Sequence, residues 1–97
     1  MATYVLLATY TEQGLKGIKD TVKRTEAVRE LAKKVGLTMK ESYWTLGAYD
    51  VVAVFEAADD ESMTAFSLSV AKLGNVKTQT LRAFSSKDME SILGMMV

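Results

Sequence analysis

The pattern of hydrophobic and polar positions alternates along the chain between a period of two and a period of about 3.6 residues. Residues 2–10 and 50–56 are apolar on both alternating sets of positions. A strand with one face in water alternates apolar and polar residues, so these stretches are predicted to be central strands covered on both faces. Residues 38–46 and 76–84 alternate more clearly, and the polar content of the last stretch favours an edge strand.

A helical period runs from about Leu15 to Val35 and predicts one amphipathic helix. Thr11 offers an N-cap, although Gly14 and Gly17 weaken the first turns, and Gly36 supplies the C-terminal stop. The polar face is mostly basic; we interpret it as a solvated surface, with an anion-attracting rim as the alternative. The predicted apolar stripe comprises Leu15, Ile18, Val22, Thr25, Val28, Leu31, Ala32 and Val35, and the basic face includes Arg24, Arg29, Lys33 and Lys34.

Two further helices are predicted, one after the third strand and one after the fourth. Residues 59–61 are all acidic, which suits the start of a helix, and the apolar spacing of residues 63–73 continues an amphipathic helix that ends at Gly74. Ser85 and Asp88 have the spacing of a capping box and predict a short C-terminal helix.

The resulting order of elements, β-α-β-β-α-β, is the split βαβ plan. Its usual sheet order places the first and third strands in the centre, and these are the strands that are apolar on both faces. We therefore predict an α+β protein with a ferredoxin-like βαββαβ fold, a four-stranded antiparallel sheet and a short C-terminal helix. At 97 residues the chain is expected to form one domain, residues 1–97.

The predicted architecture leaves one face of the sheet uncovered, because both main helices pack on the other face. That open face would expose valine, leucine and aromatic side chains, and soluble monomers rarely expose large apolar patches. We therefore expect a homodimer or higher oligomer in which two sheets pack face to face as a dimeric α+β barrel. The C-terminal helix is expected to contact the neighbouring copy.

Composition and charge exclude several kinds of site. The chain has no cysteine and no histidine, which excludes disulfides, metal sites built on thiolate or imidazole, and Cys-His or Ser-His catalysis. We expect no cofactor, no metal site and no catalytic constellation. Twelve basic and twelve acidic residues balance, which argues against nucleic acid and acidic membranes as partners. No targeting segment or membrane span is recognisable, so the expected location is the cytoplasm.

The stretch Tyr43–Glu56 is expected to fold as two strands joined across residues 47–50. Gly47 suits either the positive φ of a tight turn or the close approach of a ligand to the backbone. Asp50 either accepts backbone N–H groups in the turn or holds a ligand ammonium or acts as a base. Tyr49 and Trp44 are interpreted as packing and interface residues, and a bound ligand is one possible partner for their O–H and N–H groups.

Three sets of residues carry a resemblance to a known family. They are Thr11-Glu12-Gln13-Gly14 with Ile18-Lys19-Asp20, then Tyr43-Trp44-Thr45-Leu46-Gly47-Ala48-Tyr49-Asp50, then Leu73-Gly74-Asn75-Val76 with Thr78, Thr80, Leu81, Arg82, Ala83 and Phe84. Over nearly the whole chain they resemble the GYD domain family. The resemblance implies a stand-alone, ferredoxin-like, dimeric α+β-barrel protein of bacteria or archaea, and it implies no activity. Members often carry a proline near the position of Val22, and this departure concerns only the local start of the helix.

A looser resemblance links the chain to the effector domain of Lrp/AsnC regulators. The shared features are a Gly-x-Tyr-Asp turn between strands, then a helix, Gly-x-Val and Thr-x-Thr on the last strand. In that domain small ligands, typically amino acids, bind at subunit interfaces near these loops, which implies contacts from residues 47–50 with Thr78 and Thr80 opposite. No helix-turn-helix is expected before a strand that starts at residue 2, so a complete regulator of that type is not expected.

Three functional hypotheses follow. The preferred one is a non-catalytic oligomeric module that binds a small organic molecule at a sheet or dimer edge. One alternative is a cofactor-independent enzyme that resembles small monooxygenases or isomerases and uses Asp50, a tyrosine or a lysine as its acid and base. The other alternative is a scaffolding protein. Arg82 is expected to pair with an acid of the chain or to clamp a ligand carboxylate. The candidate ligand-binding residues are Trp44, Gly47, Ala48, Tyr49, Asp50, Thr78, Thr80 and Arg82.

Overall fold

The computed structural model describes all residues 1–97 and contains one four-stranded sheet with helices on one side. The strands lie in the order β2-β3-β1-β4, and every neighbouring pair is antiparallel. The prediction of a ferredoxin-like α+β fold with the first and third strands in the centre is therefore confirmed. The elements are β1 (Ala2–Tyr10), α1 (Glu12–Lys16), a 3₁₀ turn (Ile18–Asp20), α2 (Thr21–Lys34), β2 (Thr38–Trp44), β3 (Val51–Ala57), α3 (Asp60–Ala71), β4 (Val76–Ala83) and α4 (Ser86–Leu93).

The core lies between the central strands and α3. Leu6 of β1 pairs with Ala53 of β3, and both side chains are buried on the helix-covered face. The ring of Phe55 packs against that of Phe66 from α3, with 5.2 Å between their centroids. Burying a side chain of this size contributes roughly 1.5–3 kcal/mol to folding. This shared face fixes α3 on the sheet.

The predicted helix from Leu15 to Val35 is wrong at its first turns. The chain forms α1, breaks at Gly17, and restarts α2 at Thr21 after one 3₁₀ turn. The break shifts the phase of the helical period, so Leu15 is 56% exposed although it was assigned to the buried stripe. Three more members of the predicted stripe, Ile18, Val22 and Val35, are also exposed. The prediction holds in the middle of α2, where Val28 and Leu31 are partly buried against the core and Ala32 is fully buried.

The sheet face away from the helices is apolar along its centre. Val5 and Val54 are direct partners in the β1–β3 register, and Leu81 pairs with Val5 on the other side. Leu7 and Val52 form the next apolar pair along the same strands. No helix of the same chain covers these residues, and Leu81 is 41% exposed. We call this surface the open face.

The C-terminal helix α4 extends away from the rest of the chain. Its N-terminus is closed by the predicted capping box, because Ser85 and Asp88 each accept a hydrogen bond from the backbone N–H of the other. None of its residues is buried. The Cα radius of gyration is 14.6 Å, against about 12.5 Å expected for a compact chain of this length. None of the chain's helices has the length and apolar character needed to cross a bilayer.

Candidate functional site

A cleft of about 520 Å³ opens between α2, the end of α3 and the helix-covered face of the sheet. Thirteen of its twenty lining residues are hydrophobic. The floor is formed by the central strands, with Leu6 and Ala8 from β1 and Ala53 from β3, and Val28 of α2 and Val70 of α3 form the two sides. Ligand sites commonly enclose about 300–1,000 Å³ and are mainly apolar, so this cleft has the size and lining of a small-molecule site.

One end of the cleft carries a hydrogen-bonded cluster that we call the hydroxyl cluster, formed by Tyr10, Thr21 and Trp44. The hydroxyl groups of Tyr10 and Thr21 are 2.7 Å apart. The indole N–H of Trp44 donates to the hydroxyl oxygen of Thr21 at 3.1 Å. Tyr10 and Thr21 line the cleft, whereas Trp44 contacts Thr21 but is not part of the lining. The cluster therefore joins the ends of β1 and β2 to the first residue of α2.

Arg24 lies one turn further along α2 and lines the same end of the cleft. Its Nη2 donates to the carbonyl oxygen of Gly14 at 3.0 Å, and the side chain is partly buried. Arg24 takes part in none of the four ion pairs of the chain. The other charged lining residues are Lys34 and Glu30, and Glu30 also pairs with Lys33 at 3.7 Å. The guanidinium of Arg24 is thus a cation without an acidic partner beside an apolar cleft.

A set of contacts between residues 11–14 and 73–75, which we call the junction, supports this end of the cleft. The Nε2 of Gln13 donates to the carbonyl of Leu73 and to the side-chain oxygen of Asn75. The backbone N–H of Thr11 donates to the carbonyl of Asn75 at 3.1 Å, and its hydroxyl donates to the carbonyl of Gly74. A Cβ at Gly14 would lie 2.1 Å from the carbonyl oxygen of Asn75, so only glycine allows this approach. Two of the sequence segments that resemble the GYD family therefore meet in space.

The turn between β2 and β3 is fixed by backbone contacts at both ends. Asp50 donates its N–H to the carbonyl of Ala8, and its carboxylate accepts the N–H of Tyr10 at 2.9 Å. Asp50 was expected to accept backbone N–H groups within the turn; that expected donor is wrong, because the N–H it accepts belongs to Tyr10 of β1. Gly47 has a φ of +138°, and Ala48 beside it is exposed. Gly47 thus provides the positive φ expected of a tight turn.

The two aromatic residues of this hairpin lie on opposite faces of the sheet. Trp44 contacts α2 on the helix-covered face, as its bond to Thr21 requires. Tyr49 donates its hydroxyl to the side-chain oxygen of Gln79 at 2.9 Å. Gln79 pairs with Leu7 in the β1–β4 register and belongs to the open face. The candidate residues of the hairpin are therefore not gathered around one point.

The β4 candidates lie along the edge of the sheet on its helix-covered face, opposite to the face of Tyr49 and Gln79. Thr78, Thr80 and Arg82 pair in register with Ala8, Leu6 and Tyr4 of β1. Arg82 lies over the rings of Tyr4 and Phe84 and donates to the backbone carbonyls of Thr3 and Ala83. The expected ion pair between Arg82 and an acid of the chain is wrong, because aromatic faces and carbonyl groups surround this guanidinium. None of the eight candidate residues lines the cleft.

Tyr4 forms a separate polar contact at the start of α3. Its hydroxyl donates a short hydrogen bond to the carboxylate of Asp60. This hydrogen bond, with burial as a second cause, raises the pKa of Tyr4 from 10.0 to about 12. The contact lies at the end of β1 opposite to Tyr10 and does not belong to the cleft. No three acidic side chains of the chain converge in a metal-binding arrangement.

The sequence pattern did not reveal the residues at the polar end of the cleft. The pattern predicts Arg24 on the solvated basic face of a continuous helix and Tyr10 as the last residue of a strand. Thr21, Arg24 and Thr25 lie on one side of α2 at spacings of three and four residues. Thr25 belongs to the predicted stripe, and Thr21 and Arg24 precede Thr25 and Val28 by four residues each, so this spacing is the signal that places them on the inner face.

Comparisons with known proteins agree with the resemblance noted in the sequence. Residues 4–93 match the family model of the GYD domain. A relative from Thermus thermophilus, named glutamine synthetase and cystathionine beta-lyase binding protein, is 34% identical over 90 residues. The alignment covers 92% of this chain and 95% of that protein.

Solved structures share the fold of the chain. FFRP-DM1 superposes with a TM-score of 0.64 at 19% identity and covers 87% of this chain and all of its own. TTHA0845 from Thermus thermophilus gives a TM-score of 0.59 at 25% identity, covering 89% of this chain and 96% of its own. These structures support the fold alone, whereas the family model spans almost the whole sequence. The chain belongs to the GYD domain family.

Proposed function

We propose that the chain is a non-catalytic binding module whose cleft between α2 and the sheet receives a small organic molecule. The cleft itself carries this proposal, because its volume of about 520 Å³ and mainly apolar lining suit a ligand with an apolar body. Among the lining residues the only carboxylate is that of Glu30, which is exposed. A lining without a buried carboxylate favours binding over acid–base catalysis, which needs a group with a tuned pKa at the reacting atoms.

Filling the cleft provides a direct test. Ala27 lines the cleft mouth and is exposed, so Ala27→Phe places a ring in the opening without disturbing a buried contact. The matched control is Ala58→Phe, since Ala58 is exposed and outside the cleft. In a thermal-shift screen of metabolites, a ligand at about 100 times its Kd stabilises by about 2.7 kcal/mol, which raises Tm by roughly 10 °C or more. We expect such compounds to act on the wild type and Ala58→Phe and not on Ala27→Phe.

Two results would contradict this assignment. A broad screen that moves no Tm removes the small-molecule role. Compounds that stabilise Ala27→Phe as strongly as the wild type bind elsewhere on the chain. Residues 47–50 with Thr78, Thr80 and Arg82 are then the next candidates, because they were proposed as the wall of an interfacial site.

The same proposal includes self-association through the open face. Val5, Val54 and Leu81 form a continuous apolar centre on that face, and α4 presents Met89 and Leu93 without burying either. A second copy of the chain is the occupant that suits this surface, since an identical apolar sheet packs against it face to face at about 10 Å. Covering the open face leaves the cleft accessible, because the cleft lies on the other side of the sheet. The expected product is a homodimer or a higher oligomer built from it.

A second candidate function is docking on a metabolic enzyme. The Thermus relative, 34% identical over 92% of this chain, is named for binding glutamine synthetase and cystathionine beta-lyase. A relative of this length and coverage makes the same type of partner a reasonable proposal for this chain. Docking on an enzyme and binding of a small molecule in the cleft are compatible. If the ligand changes the docking surface, the affinity for the enzyme and the affinity for the ligand are coupled.

Surface plasmon resonance tests the docking role. Glutamine synthetase and cystathionine beta-lyase from the organism that encodes the chain are passed over the immobilised protein, with an unrelated enzyme of similar mass as the control. Saturable binding of either enzyme, absent for the control, supports the role. If neither enzyme binds saturably at concentrations of about 10 micromolar, docking on these two enzymes is contradicted. The cleft proposal is not affected by that result, because the thermal-shift screen tests it separately.

A further inference from the structure

The polar end of the cleft contains a hydroxyl proton that has no acceptor in the chain. The hydroxyl cluster contains three donors, the O–H groups of Tyr10 and Thr21 and the indole N–H of Trp44. Two hydrogen bonds connect them, one from Trp44 to Thr21 and one between the two hydroxyls. Whichever hydroxyl donates in the 2.7 Å contact, the other keeps a proton that no acceptor in the chain receives. Tyr10 and Thr21 both line the cleft, so this proton is available to a bound molecule.

Arg24 adds a positive charge beside the unused hydroxyl proton. It lies three residues after Thr21, which places both side chains on the same side of α2. One N–H of the guanidinium donates to the carbonyl of Gly14, and the ion pairs of the chain leave its charge without a partner. This backbone contact holds the side chain in place. The guanidinium keeps further N–H groups that can donate to an acceptor in the cleft.

The remaining charges of the lining do not cancel this field. Glu30 lies about two turns and Lys34 about three turns further along α2 than Arg24, and Glu30 pairs with Lys33. The charged lining residues therefore sum to one positive charge, and that charge lies where the donors are concentrated. The floor of the cleft between these charged residues is mainly apolar, so the lining combines one end rich in donors with an apolar interior.

We propose that the cleft selects organic molecules that carry a carboxylate on an apolar body, with the carboxylate held between Arg24 and the hydroxyls of Tyr10 and Thr21. A carboxylate accepts several hydrogen bonds and is the natural complement of a guanidinium with a neighbouring hydroxyl donor. A neutral alcohol of the same shape uses fewer of these donors, and an amine is repelled by the cation. The inference rests on the proposed function, because it names the ligand class of the same cleft.

The single tryptophan of the chain reports on this end of the cleft. Trp44 donates to Thr21, so a ligand that bonds to the hydroxyl cluster changes the surroundings of the indole. Titrations with 4-phenylbutyrate, 4-phenylbutan-1-ol and 4-phenylbutylamine compare three probes with one apolar body and different head groups. Trp44 emission and isothermal titration calorimetry both measure the Kd. We expect the carboxylate to bind about tenfold more tightly than the alcohol, and the amine to bind most weakly.

The variants test whether Arg24 causes the preference. Arg24→Gln is expected to bring the Kd of 4-phenylbutyrate to that of the alcohol, and Arg24→Lys is expected to keep part of the preference because it keeps the charge. Arg29→Gln is the matched control, since Arg29 is also a partly buried arginine of α2 that donates to a backbone carbonyl, that of Met39, but lies outside the cleft. It should leave the tenfold preference unchanged. Circular dichroism and Tm establish that each variant is folded.

The possible outcomes separate this inference from the proposed function. Equal binding of the three probes, or a preference that survives in Arg24→Gln, overturns the carboxylate inference while the cleft is still a binding site. A preference lost equally in Arg29→Gln also overturns it, because the effect then comes from the general charge of α2. Absence of binding by all three probes overturns the carboxylate inference, and the metabolite screen described above then decides whether the cleft binds any small molecule.

Discussion

The indole N–H of Trp44 donates to the hydroxyl of Thr21, 3.1 Å away, and so connects the last residue of β2 to the first residue of α2. Thr21 also contacts the hydroxyl of Tyr10 at the end of β1. Three elements that are distant in the sequence therefore meet at one threonine. The position of α2 above the sheet, and with it the width of the cleft, depends in part on this contact.

Removing the hydroxyl of Thr21 should alter the surroundings of Trp44. In Thr21→Val the indole N–H loses its acceptor while the volume of the side chain is kept. We expect a red shift of the Trp44 emission, because the 45% exposed ring then turns to water, and a loss of about 1 kcal/mol in the free energy of unfolding. Thr21→Ser keeps the hydroxyl and should retain the wild-type spectrum. An unchanged spectrum in Thr21→Val would show that this bond does not hold the indole.

Gly14→Ala should destabilise the chain through a backbone clash. The new Cβ would lie 2.1 Å from the carbonyl oxygen of Asn75, and a backbone atom cannot yield as a flexible side chain can. We expect a loss of about 1–3 kcal/mol in the free energy of unfolding, measured by urea denaturation. Gly94→Ala is the control, since Gly94 has a φ of −65° and its new Cβ would meet nothing nearer than 3.4 Å. Equal stability of the two variants would contradict the close packing of the junction.

A charge on the open face should separate the copies of the chain. Val54→Lys puts an ammonium at the centre of the proposed dimer interface, where burial without a partner is costly. Sedimentation equilibrium at micromolar concentration should give a dimer or larger for the wild type and a monomer for Val54→Lys. Val22→Lys, at a position that is 58% exposed on α2, should keep the wild-type mass. A wild-type protein with the monomer mass would remove the proposed self-association.

Alkaline pH should weaken the fold through Tyr4. The hydrogen bond to Asp60 raises the pKa of Tyr4 to about 12 in the folded chain, whereas the unfolded value is 10.0. Since the folded pKa is the higher one, the stabilisation is complete below pH 10 and is lost as the pH rises towards 12. Tyr4→Phe cannot ionise and should lose this part of the pH dependence. Urea denaturation of both proteins between about pH 8 and pH 11 measures the difference, and parallel curves for the two would refute it.

The strand pattern predicted the fold because burial on both faces is visible in a sequence. Residues 2–10 and 50–56 are almost continuously apolar, without a polar face, and they correspond to the central strands β1 and β3. The turn at Gly47 and the capping box of Ser85 could also be predicted from the sequence, because each involves only residues that are close together in the chain. Local contacts of this kind leave a local signature.

The cleft could not be predicted because it depends on contacts between distant segments. The guanidinium of Arg24 is held at the cleft by its hydrogen bond to the carbonyl of Gly14, which belongs to α1. The role of Gly14 depends in turn on Asn75, which lies far along the chain in the segment before β4. The segments that resemble the GYD family include both sides of the junction, residues 11–14 and 73–75. The sequence alone does not show that these two segments are in contact.

The most direct test of the proposed role is a nuclear magnetic resonance titration of the ¹⁵N-labelled protein with 4-phenylbutyrate. Binding in the cleft predicts saturable shifts in the backbone amide signals of Ala27, Val28 and Ala53, and in the indole N–H signal of Trp44. The amides of Met89 and Leu93 in α4, which lie outside the cleft, should stay in place. Shifts confined to the open face, or no saturable shift at all, would contradict the cleft as the ligand site.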